Sequence, residues 1–285
     1  AGRPSSGQRT CSTPWKCWGD AMDEVNRTLF IPLYGKAQVS RKGILLQDAK
    51  AEEIWEKEAF PLRGKAASRW LAYYMAMRAR VFDDWTDEML AQEPEALVLQ
   101  IGCGMDSRCL RVKGPYKRWI DTDFPDVLAL RRHYYRETER YRMEPLDASR
   151  AKELQKLPDA PAAIVPMEGV SMYLTNGELK SLLGALREKY GTVRLLMDVY
   201  TEWAAKASKY KNPVNEVGVI RLYGVSDPTG LAAGTGLRVK AERSMTPDHL
   251  TGELKGWEKV FFKSVLAGNL SRKLYRLYEM ESFCE

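Results

Sequence analysis

Between Ala49 and Leu90 apolar side chains recur every three or four residues, with Trp70, Tyr73, Tyr74, Met77 and Val81 falling on one face. That period predicts a helical lead-in rather than a sheet. The period then changes. ALVLQI (96–101), KRWIDTDFP (117–125, stopped by Pro125), PAAIVPMEGV (161–170) and VRLLMDVY (193–200) are short apolar runs of strand type, and EPLDAS stands where another strand ends. Between them lie the charged, helix-compatible stretches VLALRRHYYRETERY and GELKSLLGALREKYG, the second ending at Gly191, which is placed to cap a helix C-terminus. LRVKAERS (237–244) and KLYRLYEMES (273–282), with a helical stretch between them, supply two late strands. Alternating strands and helices predict an α/β fold, a mostly parallel sheet with helices on both faces.

Pro, Gly and Ser cluster only in the first twenty residues and around 227–236, and there is no internal repeat. The expected organisation is a loosely packed lead (1–27) and one domain (28–285), made of a helical lead-in or lid (28–90) and an α/β core (91–285). Hydrophobic residues are 45% and charged residues 29% of the 285, the balance of a globular protein. No run of about 18 apolar residues predicts a membrane span, and no apolar stretch follows the basic amino terminus as a secretory signal requires. The five cysteines, Cys11, Cys17, Cys103, Cys109 and Cys284, are odd in number and lack CxxC spacing. They point to a reduced, cytoplasmic protein without a metal site. A net charge of +6 raises nucleic acid as a partner, but 44 basic and 38 acidic residues are interleaved. A mixed-charge solvated surface without a nucleic-acid partner is expected, and the lack of a spanning run leaves no membrane partner expected either.

The candidate chemistry begins at Gly102-Cys103-Gly104. A strand that ends in Gly-x-Gly lets backbone N–H groups approach a ligand closely. The third glycine of the dinucleotide fingerprint is absent, which favours a ligand without phosphates. Asp123 lies 19 residues beyond Gly104, the offset at which an acid ending the second strand accepts hydrogen bonds from ribose hydroxyls; Asp121 shares its strand face. Asp147 fits either an adenine contact or a helix N-cap.

Five separated segments resemble the leucine carboxyl methyltransferase family: TLFIPLYGKAQVS, AMRARVFDDW, LVLQIGCGMDSRCLRV, RWIDTDFPDVLALRR and MEGVSMYLT. The likeness runs from about Thr28 to the end, and TGLRVKAERSMTP and KLYRLYEMES fit the bacterial small-molecule O-methyltransferase branch typified by the tetracenomycin polyketide enzyme. It implies a class I S-adenosylmethionine-dependent methyltransferase, Rossmann-like, with seven strands. It also implies roles: Lys36 and Arg78 on the methionine carboxylate, Gly102, Cys103 and Gly104 along the methionine portion, Asp123 on the ribose, Leu146 and Asp147 beside the adenine, and Glu168 as an acid near the cofactor. Cys103 departs from the small residue usual between the glycines, and PLDAS matches the family's D-L-R-D only loosely.

Tyr34, Tyr173 and Tyr200 are candidate pocket residues, able to pack a planar substrate and orient an acceptor oxygen, or else core tyrosines. Tyr173 lies in a matched segment. His133 and His249 belong to no motif and read as solvated. A carboxylate acceptor needs no base, whereas a phenol does. The expected acceptor is therefore a carboxylate or acidic hydroxyl of a small metabolite, with polyketide-like compounds in view. The alternatives are a protein C-terminal carboxyl methyltransferase, a nicotinamide-dependent oxidoreductase, and a catalytically silent binding protein.

Overall fold

Strand β1 (Leu97–Ile101) is buried at every residue, and the sheet grows outward from it. The computed structural model describes residues 28–58, 60–62, 64–211 and 222–283; the lead 1–27, with Cys11 and Cys17, and Cys284 lie outside them. In chain order the elements are α1 (Phe30–Arg41), α2 (Ala49–Glu58), α3 (Arg69–Gln92), β1, α4 (Arg108–Arg111), β2 (Arg118–Asp123), α5 (Pro125–Arg131), β3 (Tyr141–Pro145), β4 (Ala162–Met167), α6 (Asn176–Lys189) and β5 (Thr192–Tyr200). Then follow α7 (Glu202–Lys211), α8 (Pro228–Ala232), β6 (Leu237–Arg243), α9 (Asp248–Glu253), α10 (Gly256–Phe261), α11 (Asn269–Leu274) and β7 (Tyr275–Ser282).

The seven strands lie in the order β3-β2-β1-β4-β5-β7-β6. β1 pairs in parallel with β2 and β4, β2 with β3, and β4 with β5, while β7 is antiparallel to β5 and β6. This is the doubly wound, mostly parallel sheet expected. Each face has its own apolar layer. Leu97, Leu99 and Ile101 pack with Leu179, Leu183 and Leu186 of α6, whereas Val98 packs with Phe30, Tyr73, Met77 and Phe82 of the lead-in helices. Alternation along one strand thus fastens both layers. The chain runs from β1 out to β3 and returns to β4 on the other side of β1, so a crevice opens beyond the carboxyl ends of β1 and β4.

Several boundaries differ from the sequence reading. The stretch 49–90 is two helices, α2 and α3, and Ser68 accepts the Trp70 N–H (3.3 Å) to start the second. α1 precedes them and is buried on most sides, Lys36 included, so it shows no clean polar face to read. The charged run after Pro125 stays helical only to Arg131, whose side chain is drawn into the core. Segment 161–170 is the fourth strand, because YRMEP, too polar to stand out, forms the third. Gly191 caps nothing: α6 ends at Tyr190 in extended backbone, and a Cβ on Gly191 would meet the Pro161 carbonyl oxygen at 3.1 Å. The start of α6 carries a capping box, Thr175 with Glu178. Among the described residues no helix is long and apolar enough to cross a membrane.

Candidate functional site

The loop after β1 is fixed by its glycines. Gly102 has φ +66°, and a Cβ there would fall 2.3 Å from Val170 Cγ2, so any side chain collides with the loop after β4. Gly104, at φ +49°, donates its N–H to Asp123 Oδ2 (2.7 Å), and Phe124 N–H donates to Oδ1 (2.8 Å). The two sequence landmarks, 19 residues apart, are hydrogen-bonded to one another. Burial pushes the Asp123 carboxyl up to about 6, against the pull of those two amides. Asp121, by contrast, is wholly buried and accepts from Arg131, Tyr141 Oη (2.6 Å) and Trp119 Nε1 (2.8 Å), so it holds β2, β3 and α5 together. Ser107, which stands where the dinucleotide fingerprint has its third glycine, is buried too. The thiols of Cys103 and Cys109 are free and buried, and burial raises both, Cys109 to about 12, so they pack as neutral groups.

Beneath the loop lies a buried ionic network. Lys36 of α1 pairs with Asp106, which also accepts the Arg108 backbone N–H (2.6 Å) and faces Arg111 (3.2 Å). Arg78 of α3 spans Glu168 (3.0 Å) and Asp198 (2.8 Å). Arg108 joins Asp83 (2.8 Å) to the other oxygen of Glu168, and Arg111 joins Asp48 and Asp83, both at 2.7 Å. The two acids of Arg78 differ. Burial alone would raise Glu168, but the guanidiniums of Arg78 and Arg108 outweigh it and hold the carboxyl below its ordinary value. At Asp198 burial outweighs Arg78 and the Gly169 N–H, and the carboxyl is raised. Sequence reasoning gave no role to Asp48, Asp83, Asp106, Arg108, Arg111 or Asp198. Asp83, Asp106, Arg108 and Arg111 lie inside family-like segments, the one signal that could have marked them.

One cavity of about 1420 Å³ covers this floor. Lys36, Arg78, Gly102, Cys103, Gly104, Asp123, Leu146, Asp147 and Glu168 all line it, with Tyr173 and Tyr200. Tyr34 does not. Its hydroxyl donates to the Ala67 carbonyl (3.0 Å) and its ring meets Trp55 edge-on at 5.0 Å, so it belongs to the packing between lead-in helices. Asp147 is a turn residue, accepting from Ser149 N–H (3.0 Å) and Oγ (2.6 Å); it caps no helix, and its carboxylate is already engaged beside the adenine position the resemblance implies. Leu146 N–H donates to the Asp123 carbonyl (3.0 Å), which holds that corner against β2. Tyr173 Oη donates to Thr28 Oγ1 (3.1 Å), and burial raises its pKa, so the phenol is neutral. Tyr200 stands edge-on to Tyr275, centroids 4.3 Å apart, a pocket partner the sequence did not single out.

Trp70, Leu71, Tyr74 and Met75 give the cavity an apolar wall, so the lead-in helix α3 closes it on one side. His133 and His249 are exposed and line no part of it; His133 lies in the turn after α5 rather than in a helix. Gln100, at the end of β1, also lines the cavity and was missed, although it is the only polar residue of LVLQI. Its Oε1 is buried without a hydrogen-bond partner among the described residues. A buried orphan acceptor beside Glu168 and two paired cations suits the ammonium and carboxylate of an amino-acid moiety, and Asp123, two loops away, suits a sugar diol.

Comparison with known proteins bears on the family and the fold. The model of the leucine carboxyl methyltransferase family matches residues 22–187. Over 239 residues the chain is 30% identical to the tetracenomycin polyketide synthesis O-methyltransferase of Streptomyces glaucescens, covering 82% of this chain and 88% of that one. Over 209 residues it is 28% identical to an S-adenosyl-L-methionine-dependent methyltransferase of Gibberella zeae, covering 68% and 70%. A candidate methyltransferase of Thermobifida fusca YX superposes with a TM-score of 0.51 at 13% identity, covering 80% of this chain and 91% of that one, which shows a shared fold.

Proposed function

This chain belongs to the leucine carboxyl methyltransferase family, and from that premise we propose that it is an S-adenosylmethionine-dependent O-methyltransferase acting on an ionised oxygen of a small metabolite, a carboxylate first of all. The observation that carries the reading is the hydrogen bond between the glycine loop and Asp123 at the edge of a cavity with no histidine in its lining. Asp123 accepts from the ribose hydroxyls, and Gly102 and Gly104 keep the backbone bare beside the methionine chain. Lys36 and Arg78 share their charge with the methionine carboxylate while Gln100 and Glu168 face its ammonium. Leu146 packs beside the adenine.

Held there, S-adenosylmethionine would supply an electrophilic methyl on a sulfonium, which an acceptor oxygen could take with the S–CH3 electron pair left on sulfur. The chain aligns the acceptor and excludes water, and the apolar wall of Trp70, Leu71 and Tyr74 serves both ends. Glu168, held below its ordinary pKa between two arginines, is a poor base. Tyr173 and Tyr200 orient an oxygen without taking a proton from it. An acceptor that arrives already ionised fits this equipment, and a polyketide-like acid has the planar, apolar body the wall accommodates. Residues 28–285 act as one domain, with α1 to α3 as the fixed wall. Buried free thiols suit a reducing, cytoplasmic setting.

Tritium-labelled methyl transfer to a panel of aromatic carboxylic acids tests this. A methyl ester releases volatile methanol in alkali and a methyl ether does not. Base-labile product is expected. Label found only in base-stable product would overturn the carboxylate reading.

A further inference from the structure

The segment from α10 through the π-helical turn Phe262–Leu266 lies against the lead-in helices by its inner face. Phe262 is fully buried there, with Trp70, Tyr73 and Tyr74 packed on it. A helix anchored in this way ordinarily turns polar residues outward. Here the outer face holds Trp257, Val260 and Phe261, at helical spacing and 62%, 66% and 39% exposed, followed by Val265 at 48%. Trp257 and Phe261 each rest against Trp70 (centroids 5.7 and 4.9 Å) and leave the rest of their rings to solvent, so with Val260 and Val265 they form an exposed apolar ridge.

Charge surrounds the ridge unequally. From Lys255 to Lys273 the chain carries five basic residues and one acidic residue, Glu258. Glu258 turns inward, accepting from the Tyr73 hydroxyl and from Arg69 (2.8 Å). The Arg69 guanidinium lies 5.7 Å from the ring centres of both Trp70 and Trp257. Lys255, Lys259 and Lys263 are exposed along the flank; Lys263 meets the exposed Asp248 at 2.7 Å, a surface pair of little energetic weight.

We propose that this ridge docks on an anionic lipid bilayer, with Trp257, Val260 and Phe261 entering the headgroup boundary and the flanking lysines meeting lipid phosphates. Three observations favour that occupant. Exposed aromatic and aliphatic side chains beside lysines are the composition of interfacial helices. The ridge offers on the order of 400 Å² of apolar side chain, well short of the about 800 Å² that each partner brings to a stable protein interface. Phe261 and Phe262 touch Trp70, which also lines the cavity, so a ridge seated in lipid would hold the bilayer surface beside the cavity wall. The expectation of no membrane partner rested on the lack of a spanning segment, which a surface ridge does not need. The proposal stands apart from the reaction assigned to the cavity.

Flotation of the full chain with vesicles tests it, comparing phosphatidylcholine alone with phosphatidylcholine mixed with phosphatidylglycerol. Binding to the mixed vesicles, weakened by salt and scarce on phosphatidylcholine alone, is expected. The double variant Trp257→Gln, Val260→Gln should lose about tenfold in bound fraction while binding S-adenosylhomocysteine as the wild type does, which keeps the cavity reading separate. Failure to float with the mixed vesicles, flotation of the variant like the wild type, or a ridge-dependent dimer by light scattering without vesicle binding would each overturn the proposal.

Discussion

Asp123 sits in a balance that pH can tip. Its carboxyl is raised to about 6 by burial, and in the role proposed for it, accepting a ribose hydroxyl, it would serve best when ionised. Affinity for S-adenosylhomocysteine is therefore full above that value and falls as pH drops through it, by about tenfold at one unit below. Titration from pH 8 to pH 5 should show the fall in the wild type and a weaker, nearly level affinity in Asp123→Asn; a level wild-type curve would count against the ribose assignment. This residue was legible in the sequence because its signal is a spacing after a glycine turn. Gln100 and Tyr275 were not, since a glutamine in an apolar strand and a tyrosine in a late one announce nothing until the sheet turns them toward the cavity. Tyr34 misled for the same reason: aromatic character was visible, and its direction was not.

Between elements, the buried ions join helices to strands across long stretches of chain. Arg108 is fully buried, and ties α4 to Asp83 of α3 and to Glu168 beyond β4. Taking one partner from such a network leaves charges buried and unpaired, so Arg108→Met should cost about 3–5 kcal/mol. Breaking the exposed pair Arg80–Asp84 by Asp84→Ala should cost about 0.5 kcal/mol or less. Urea unfolding measures both; an Arg108 variant as stable as the Asp84 variant would refute the role given to the network. β1 and β5 could be read from their apolar runs, and α6 from its period and the Thr175–Glu178 box. β3 could not, because its outward positions carry Arg142 and Glu144. The end of α5 could not either: it follows from the burial of Arg131 against Asp121, ten residues back, which local propensity does not see.

At the scale of the molecule, sheet order decides where chemistry can occur. The reversal between β1 and β4 opens a crevice, and the glycine loop, Asp123, Arg78 and Glu168 reach it from four separate segments. The alternation of strands and helices foretold the sheet. The lead-in was read as a lid, but which residues of α1 and α3 would face the cavity could not be read, because that depends on which sheet face they cover. The same view separates the competing ligands: the crevice has no third glycine for a pyrophosphate, whereas an adenosine joined to an amino acid meets an acid at one end and the ionic floor at the other. Isothermal titration of the purified chain with S-adenosylmethionine, S-adenosylhomocysteine and NADH puts this to the test, with Asp123→Ala alongside. Binding of the first two but not NADH is predicted, with a loss of about 1–3 kcal/mol in the variant; tight NADH binding, or a variant that holds S-adenosylhomocysteine as firmly as the wild type, would contradict the account.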